Sequence, residues 1–130
     1  MEEARAEIRL GPEDYKTTMK VRGHVFTADE PQDKGGLDTA PTPTEMLTAA
    51  LGACTAITLR MYAKRKGWEL GEVRVEVEYA QDGESRKAER RISFSGDLSE
   101  EQRARLLQIA NACPVHKALT KGVEVASSLG

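Results

Sequence analysis

The longest unbroken signal along the chain is Pro43 to Lys66, PTEMLTAALGACTAITLRMYAKRK, which reads as one long helix. From Met46 to Leu59 it carries no charge, and a helix apolar nearly all round belongs inside a core. Leu47, Ala50, Leu51, Cys54, Ile57 and Met61 follow a three-and-four spacing, which predicts that this stripe packs inward and takes Cys54 with it. Two-residue alternation dominates elsewhere. Residues 4–10 set Ala6, Ile8 and Leu10 against Arg5, Glu7 and Arg9, as in a strand with one buried face. Strands at 17–21 and 24–27, joined by Arg22-Gly23, complete an N-terminal antiparallel meander. Val73, Val75, Val77 and Tyr79 alternate with Arg74, Glu76 and Glu78. A return strand over roughly 87–95 turns Ile92 and Phe94 inward, and Val123-Glu124-Val125 reads as a final strand.

Breakers and caps set the boundaries. Ala28 to Thr42 holds Pro, Gly and Asp at turn density, and connections this long are uncommon in compact domains unless functional or mobile. It reads equally as a cover for the site that follows and as a surface loop without a task. Thr42 or Thr44 suits the helix cap and Pro43 its first turn. Gly67 ends the helix behind Lys64, Arg65 and Lys66, whose charges oppose the helix dipole. Gln81-Asp82-Gly83-Glu84 turns the chain. Ser99 to Gln102 has the form of a capping box and opens a helix running to about residue 112, with Ala104, Leu107 and Ala110 apolar. Pro114 interrupts that helix and begins a short one. The order of elements is that of an α+β fold, in one domain spanning residues 1–130.

Composition narrows the classes. A chain of 130 residues buries roughly two-thirds of its unfolded surface. Its net charge of -2, with both signs scattered, gives no basic block or aromatic-basic interleaving for nucleic acid. The charge-free run is shorter than the about 20 apolar residues that span a membrane. MEEARAEIR has no apolar segment of the secretory kind, and two cysteines without such a signal fit a reducing cytoplasm. Aromatics make up only 5%, and Ala49, Ala50, Gly52, Ala53 and Ala56 leave little side chain around the central helix. One domain of this size does not wrap such a helix on every side, so a homodimer is expected.

Chemistry rests on the two cysteines. Cys113 precedes a proline at a helix start, where free N–H groups and the positive dipole end favour a thiolate. Cys54 lies mid-helix, where desolvation raises its pKa unless a cation or donor is brought to it. Each alone also reads as a small core residue. His116 follows Cys113 by three positions, and with Cys54 and His24 would make a two-Cys, two-His set. A single C-x-x-H is weak evidence for zinc, and no metal or other cofactor is expected.

The segments PTEMLTAALGACTA and NACPVHKAL resemble the OsmC/Ohr family, the osmotically induced and organic-hydroperoxide-resistance proteins, and ALGACTA looks closer to the OsmC-like branch. The resemblance implies antiparallel sheets around a long buried central helix, in an intertwined homodimer with active sites at the subunit interface. It also implies thiol-dependent reduction of organic hydroperoxides without metal or flavin. Cys54 would be the peroxidatic residue, its sulfenic acid resolved to a disulfide by Cys113 and both restored by an external dithiol. In the hydroperoxide reductases an arginine and a glutamate assist the thiol. The glutamate's place here is Thr44 and the carboxylate stands at Glu45, nine residues from Cys54 and about 180° around an ideal helix from it. Glu45 reads either as that assistant or as a favourable first-turn anion. Arg22 reads either as the assisting cation or as a solvated strand residue. A second function class is a non-enzymatic module that binds an apolar ligand or senses redox state with the same thiols.

Overall fold

A computed structural model describes residues 3–130. Backbone contacts divide the chain into two compact units, one up to Leu47 and one from Thr48 onward.

In the first unit, β1 (Glu7–Leu10), β2 (Thr17–Val21) and β3 (His24–Ala28) form an antiparallel meander in that order. Its register aligns Ile8, Met19 and Phe26 across the three strands. Arg22 and Gly23 make the two-residue β2–β3 turn, with φ of 49° and 84°. Two successive positive φ values match the right-handed twist of a hairpin. The loop after β3 is more ordered than its composition suggests. Asp29 is buried, and its carboxylate accepts the backbone N–H of Glu30 at 2.8 Å and both the N–H and hydroxyl of Thr39 at 3.1 and 2.7 Å. One carboxylate thus gathers both ends of the loop around a short 3-10 turn at Gln32–Lys34.

The long helix, α1 (Pro43–Lys66), is present over its full expected length. Its start carries a reciprocal cap: Thr42 Oγ1 accepts the N–H of Glu45, and Glu45 accepts the N–H of Thr42 at 2.9 Å. Among the described residues it is the one helix long and apolar enough to cross a membrane. Its middle and end nevertheless pack as the core helix of a folded unit.

That packing is built in the second unit. β4 (Val73–Asp82) and β5 (Ser85–Phe94) form a long antiparallel hairpin, followed by α2 (Glu100–Ala110) and α3 (Pro114–Lys121). Leu59, Tyr62, Ala63, Leu70, Leu106 and Ala110 form the buried cluster, with Val73, Ile92 and Phe94 against it. At Gly52 the missing side chain lets α1 approach the hairpin closely, since a Cβ there would stand 3.3 Å from Val77 Cγ2. Ser99 caps α2 by the expected capping box.

The structure departs from the sequence expectation in four places. α1 buries Leu51, Thr55, Leu59, Tyr62 and Ala63, while Leu47, Ile57 and Met61 are exposed. An evenly apolar helix offers periodicity no contrast with which to choose a face; the β4–β5 hairpin makes the choice. Within one chain α1 is therefore covered along one stripe and not all round. In α2 the inward residue beside Ala110 is Leu106, and Leu107 is exposed. β1 is confined to Glu7–Leu10, with Ile8 and Leu10 both exposed. Residues 123–125 form no strand: among the described residues no partner strand satisfies their backbone, and Val123 and Val125 are exposed.

Candidate functional site: a thiol pair beside a buried arginine

Cys54 and Cys113 stand 59 positions apart in sequence, and the fold of the second unit brings their sulfurs into hydrogen-bonding contact. Cys54 comes from the middle of α1, where it is partly exposed; Cys113 is buried at the head of α3. Both are free thiols. Cys113 is the N-cap residue of α3, and its Sγ accepts the backbone N–H of His116 at 3.5 Å. Pro114 at the first helical position loses no hydrogen bond there, since that N–H would have no helical partner. A sulfur thus takes the place of the usual cap oxygen.

The surroundings push the two thiols in opposite directions. Burial pushes Cys54 up, and the adjacent Cys113 adds to the rise. The Val115 N–H and the Thr58 hydroxyl offset only part of it. Burial also acts to raise Cys113, but its hydrogen-bonding neighbours outweigh it and hold that thiol below its ordinary value: the Cys54 thiol, the N–H groups of His116 and Val115, and the nearby Thr55 side chain. A thiolate that accepts several hydrogen bonds is stabilised more than the corresponding thiol.

Behind the pair lies Arg90 of β5, partly buried. Its Nη1 donates to Thr55 Oγ1 at 2.9 Å and to the Ala110 carbonyl at 3.2 Å. Its Nη2 reaches Asn111 Oδ1 at 3.1 Å and His116 Nδ1 at 3.0 Å. A guanidinium only donates, so Nδ1 is an acceptor and the His116 ring is neutral with its hydrogen on Nε2. Burial, and then the Arg90 charge, lower the His116 pKa accordingly. Among the described residues Arg90 makes no ion pair with a carboxylate. One guanidinium therefore ties together β5, α1, the end of α2 and α3 on neutral acceptors alone.

Arg22 is exposed at the β2–β3 turn, and the Glu45 carboxylate is engaged in the α1 cap. Among the described residues no group of three or more His, Cys, Asp and Glu side chains is placed to hold a metal ion. Reading the sequence overlooked Arg90, Thr55 and Asn111. A signal for Arg90 was present: it shares the inward register of Ile92 and Phe94 on β5, and an inward-facing charge on an amphipathic strand calls for an explanation.

A family model described as OsmC-like protein matches residues 34–128. No curated protein sequence matches the chain. Among solved structures, the OsmC-like protein of Mycoplasma pneumoniae is 18% identical with a TM-score of 0.73, over 92% of this chain and 88% of that one. An organic hydroperoxide resistance protein OsmC from Legionella pneumophila is 19% identical with a TM-score of 0.67, over 95% and 93%. An organic hydroperoxide resistance protein from Elizabethkingia anophelis, carrying a crystallant-derived thiocyanate, is 20% identical with a TM-score of 0.69, over 91% and 88%. At these identities the structural likeness speaks for the fold, and the family match, covering most of the chain, speaks for descent. The chain belongs to the OsmC-like family.

Proposed function

We propose that this protein is a thiol-dependent peroxidase that reduces small organic hydroperoxides in the cytoplasm as part of oxidative-stress defence. The observation that carries the reading is the meeting of two free sulfurs remote along the chain, one partly exposed and one buried. Cys54, the accessible sulfur, attacks the distal peroxide oxygen and releases the alcohol, leaving a sulfenic acid. Cys113 then displaces hydroxide from that sulfur and closes a disulfide, which an external dithiol reopens by exchange. The two sulfurs supply both electrons, so the stoichiometry requires no metal or flavin. The names of the Legionella and Elizabethkingia proteins, both organic hydroperoxide resistance proteins, support this choice of substrate class.

Arg90 takes the place of supporting cation in this reading. Glu45 caps α1 through Thr42, and Arg22 stands on the β2–β3 turn. A second copy covers the apolar face of α1 bearing Ile57 and Met61, which are 55% and 62% exposed. Sedimentation at micromolar concentration checks that homodimer. The decisive experiment is mass spectrometry after one equivalent of cumene hydroperoxide. The expected product has lost two hydrogens and carries a Cys54–Cys113 linkage, and Cys54→Ser abolishes turnover with dithiol. Slow, unselective oxidation would instead favour a ligand-binding or redox-sensing module and end the peroxidase reading.

A further inference from the structure

The thiol pair presents an apparent contradiction. Cys54 is the sulfur a peroxide can reach, while the donors that stabilise a negative sulfur converge on Cys113. The N–H of His116 reaches Cys113 Sγ at 3.5 Å from the first turn of α3. The Thr55 hydroxyl stands within hydrogen-bonding reach of the same sulfur. That hydroxyl has one hydrogen, given in the structure to the Leu51 carbonyl at 2.7 Å. Its oxygen already accepts from Arg90. With Arg90 on the lone pair, Thr55 is fixed as a donor, and its hydrogen can turn from the Leu51 carbonyl to Cys113 without breaking another contact. The Leu51 carbonyl keeps its ordinary place in the α1 ladder throughout. Each sulfur acts on the other, and Arg90 of β5 and His116 of α3 join the pair through the Thr55 hydroxyl oxygen and the His116 backbone N–H. At the end of α2 the Ala110 carbonyl and the Asn111 side-chain oxygen accept from Arg90.

We infer that Cys113 carries the negative charge of the reduced pair and serves as the proton acceptor for Cys54, with Arg90 as the positioning residue that acts on Cys113 through Thr55. The inference rests on the peroxidase reading above and assigns Cys113 a task before disulfide closure. In the resting pair the Cys54 S–H donates to the Cys113 thiolate. As peroxide enters, the proton passes to Cys113, and the Cys54 thiolate attacks the distal oxygen. The O–O bond breaks, the peroxide is reduced by two electrons and the alkoxide leaves. The alkoxide takes the proton back from Cys113 and departs as the alcohol. Cys113, again a thiolate, displaces hydroxide from the Cys54 sulfenic acid to form the S–S bond. The resting anion plus one hydroperoxide thus yields disulfide, alcohol and hydroxide, with charge conserved. The opposed pKa directions of the two thiols, up at Cys54 and down at Cys113, agree with this division.

The test follows the ultraviolet absorbance of thiolate against pH in the reduced protein, together with the rate of Cys54 oxidation by cumene hydroperoxide. The first thiolate is expected below the ordinary cysteine value of about 8.5. It persists in Cys54→Ser, whose hydroxyl still donates, and disappears in Cys113→Ser. In Thr55→Val, which preserves shape, and in Arg90→Met, its midpoint rises by about one unit and the ascending, acid-side limb of the oxidation profile moves with it. That corresponds to about tenfold less thiolate at a pH below both midpoints. Thr55→Ser restores the wild-type profile, which a merely structural threonine would not require. In a protein whose wild type turns over peroxide, a first thiolate that is lost in Cys54→Ser and kept in Cys113→Ser would overturn this inference alone. A thiolate on Cys113 in a protein that never turns over peroxide would overturn the peroxidase reading and leave the charge placement standing.

Discussion

Closing a bond between Cys54 and Cys113 should stabilise the fold by an amount that the sequence separation and the site contacts together set. The link would close a loop of about 60 residues, and restricting the unfolded chain to that loop is worth about 4 kcal/mol. Against this, the disulfide sulfur is a weaker acceptor than a thiolate. The Thr55 hydroxyl and the His116 N–H each give up roughly 1 kcal/mol, the difference between a hydrogen bond to a charged group and one to a neutral group. The net gain is about 2 kcal/mol, which for a domain of this size raises Tm by roughly 8 °C. Calorimetry of the protein treated with one equivalent of cumene hydroperoxide, against the same sample kept in dithiol, reads the difference directly. An oxidised form melting at or below the reduced one would show that the sulfurs cannot bridge without strain, refuting the geometric basis of the resolving step.

The pH dependence of the same pair adds a sign. Cys113 is lowered in the folded state, so its contribution grows as pH rises from its folded value and is complete above the unfolded value of about 8.5. Cys54 is raised, so its contribution is intact below that unfolded value and is lost as pH rises toward its folded one. The reduced protein should therefore gain stability from these thiols up to about pH 8.5 and lose it beyond. The disulfide form, with no thiol to titrate, should show no such maximum.

Three further outcomes are expected. Leu106 is fully buried in the core cluster, and Leu106→Ala should cost about 2–5 kcal/mol, read as a lowered urea midpoint with an unchanged slope. Asp29 is lowered to about 2, first by the Thr39 hydroxyl and then by the N–H groups of Thr39 and Glu30. Its support of the loop is complete above its unfolded value of about 3.9 and fades as pH falls toward 2. Amide exchange at Thr39 should accelerate over that window, and in Asp29→Asn at neutral pH. His116 is lowered by burial and then by Arg90, so its neutral ring contributes fully above the unfolded value of about 6.5 and less as pH falls below it. A thermal-stability profile that falls in wild type below that pH, and falls less in His116→Gln, is the expected result.

How far the sequence spoke for itself depended on contrast. The hairpin of β4 and β5 was plain because valines and charges alternate cleanly from Val73 to Glu78. The capping box at Ser99 and the helix start at Pro114 were plain because they are local chemistry, while the α1 cap stayed open between Thr42 and Thr44. The inward face of α1 was not legible. Leu51, Thr55 and Leu59 differ too little in polarity from Leu47, Ile57 and Met61 for spacing to rank them, and tertiary contact decided it. The strand read at residues 123–125 has a sound alternation, but a strand forms only where another edge accepts its backbone, and no spacing rule supplies the edge.

The site divides along the same line. A cysteine before a proline at a helix start announces a stabilised thiolate from local rules alone, and the structure lowers Cys113 in that direction. The cation does not announce itself by proximity, because Arg90 is separated from both cysteines by more than twenty positions. It announces itself by register: three alternate positions on β5, Arg90, Ile92 and Phe94, face one way, opposite Val77, Val75 and Val73 of β4. Two of the three are the apolar residues such a face requires. Partial burial of a guanidinium among them is costly unless polar acceptors are waiting. Four acceptors on three other segments do wait for it: Thr55, the Ala110 carbonyl, Asn111 and His116. A charge carried inward on a strand is thus a statement about the residues it must meet. Here those residues bracket Cys113, which is why the arginine overlooked in the sequence becomes the organising group of the site.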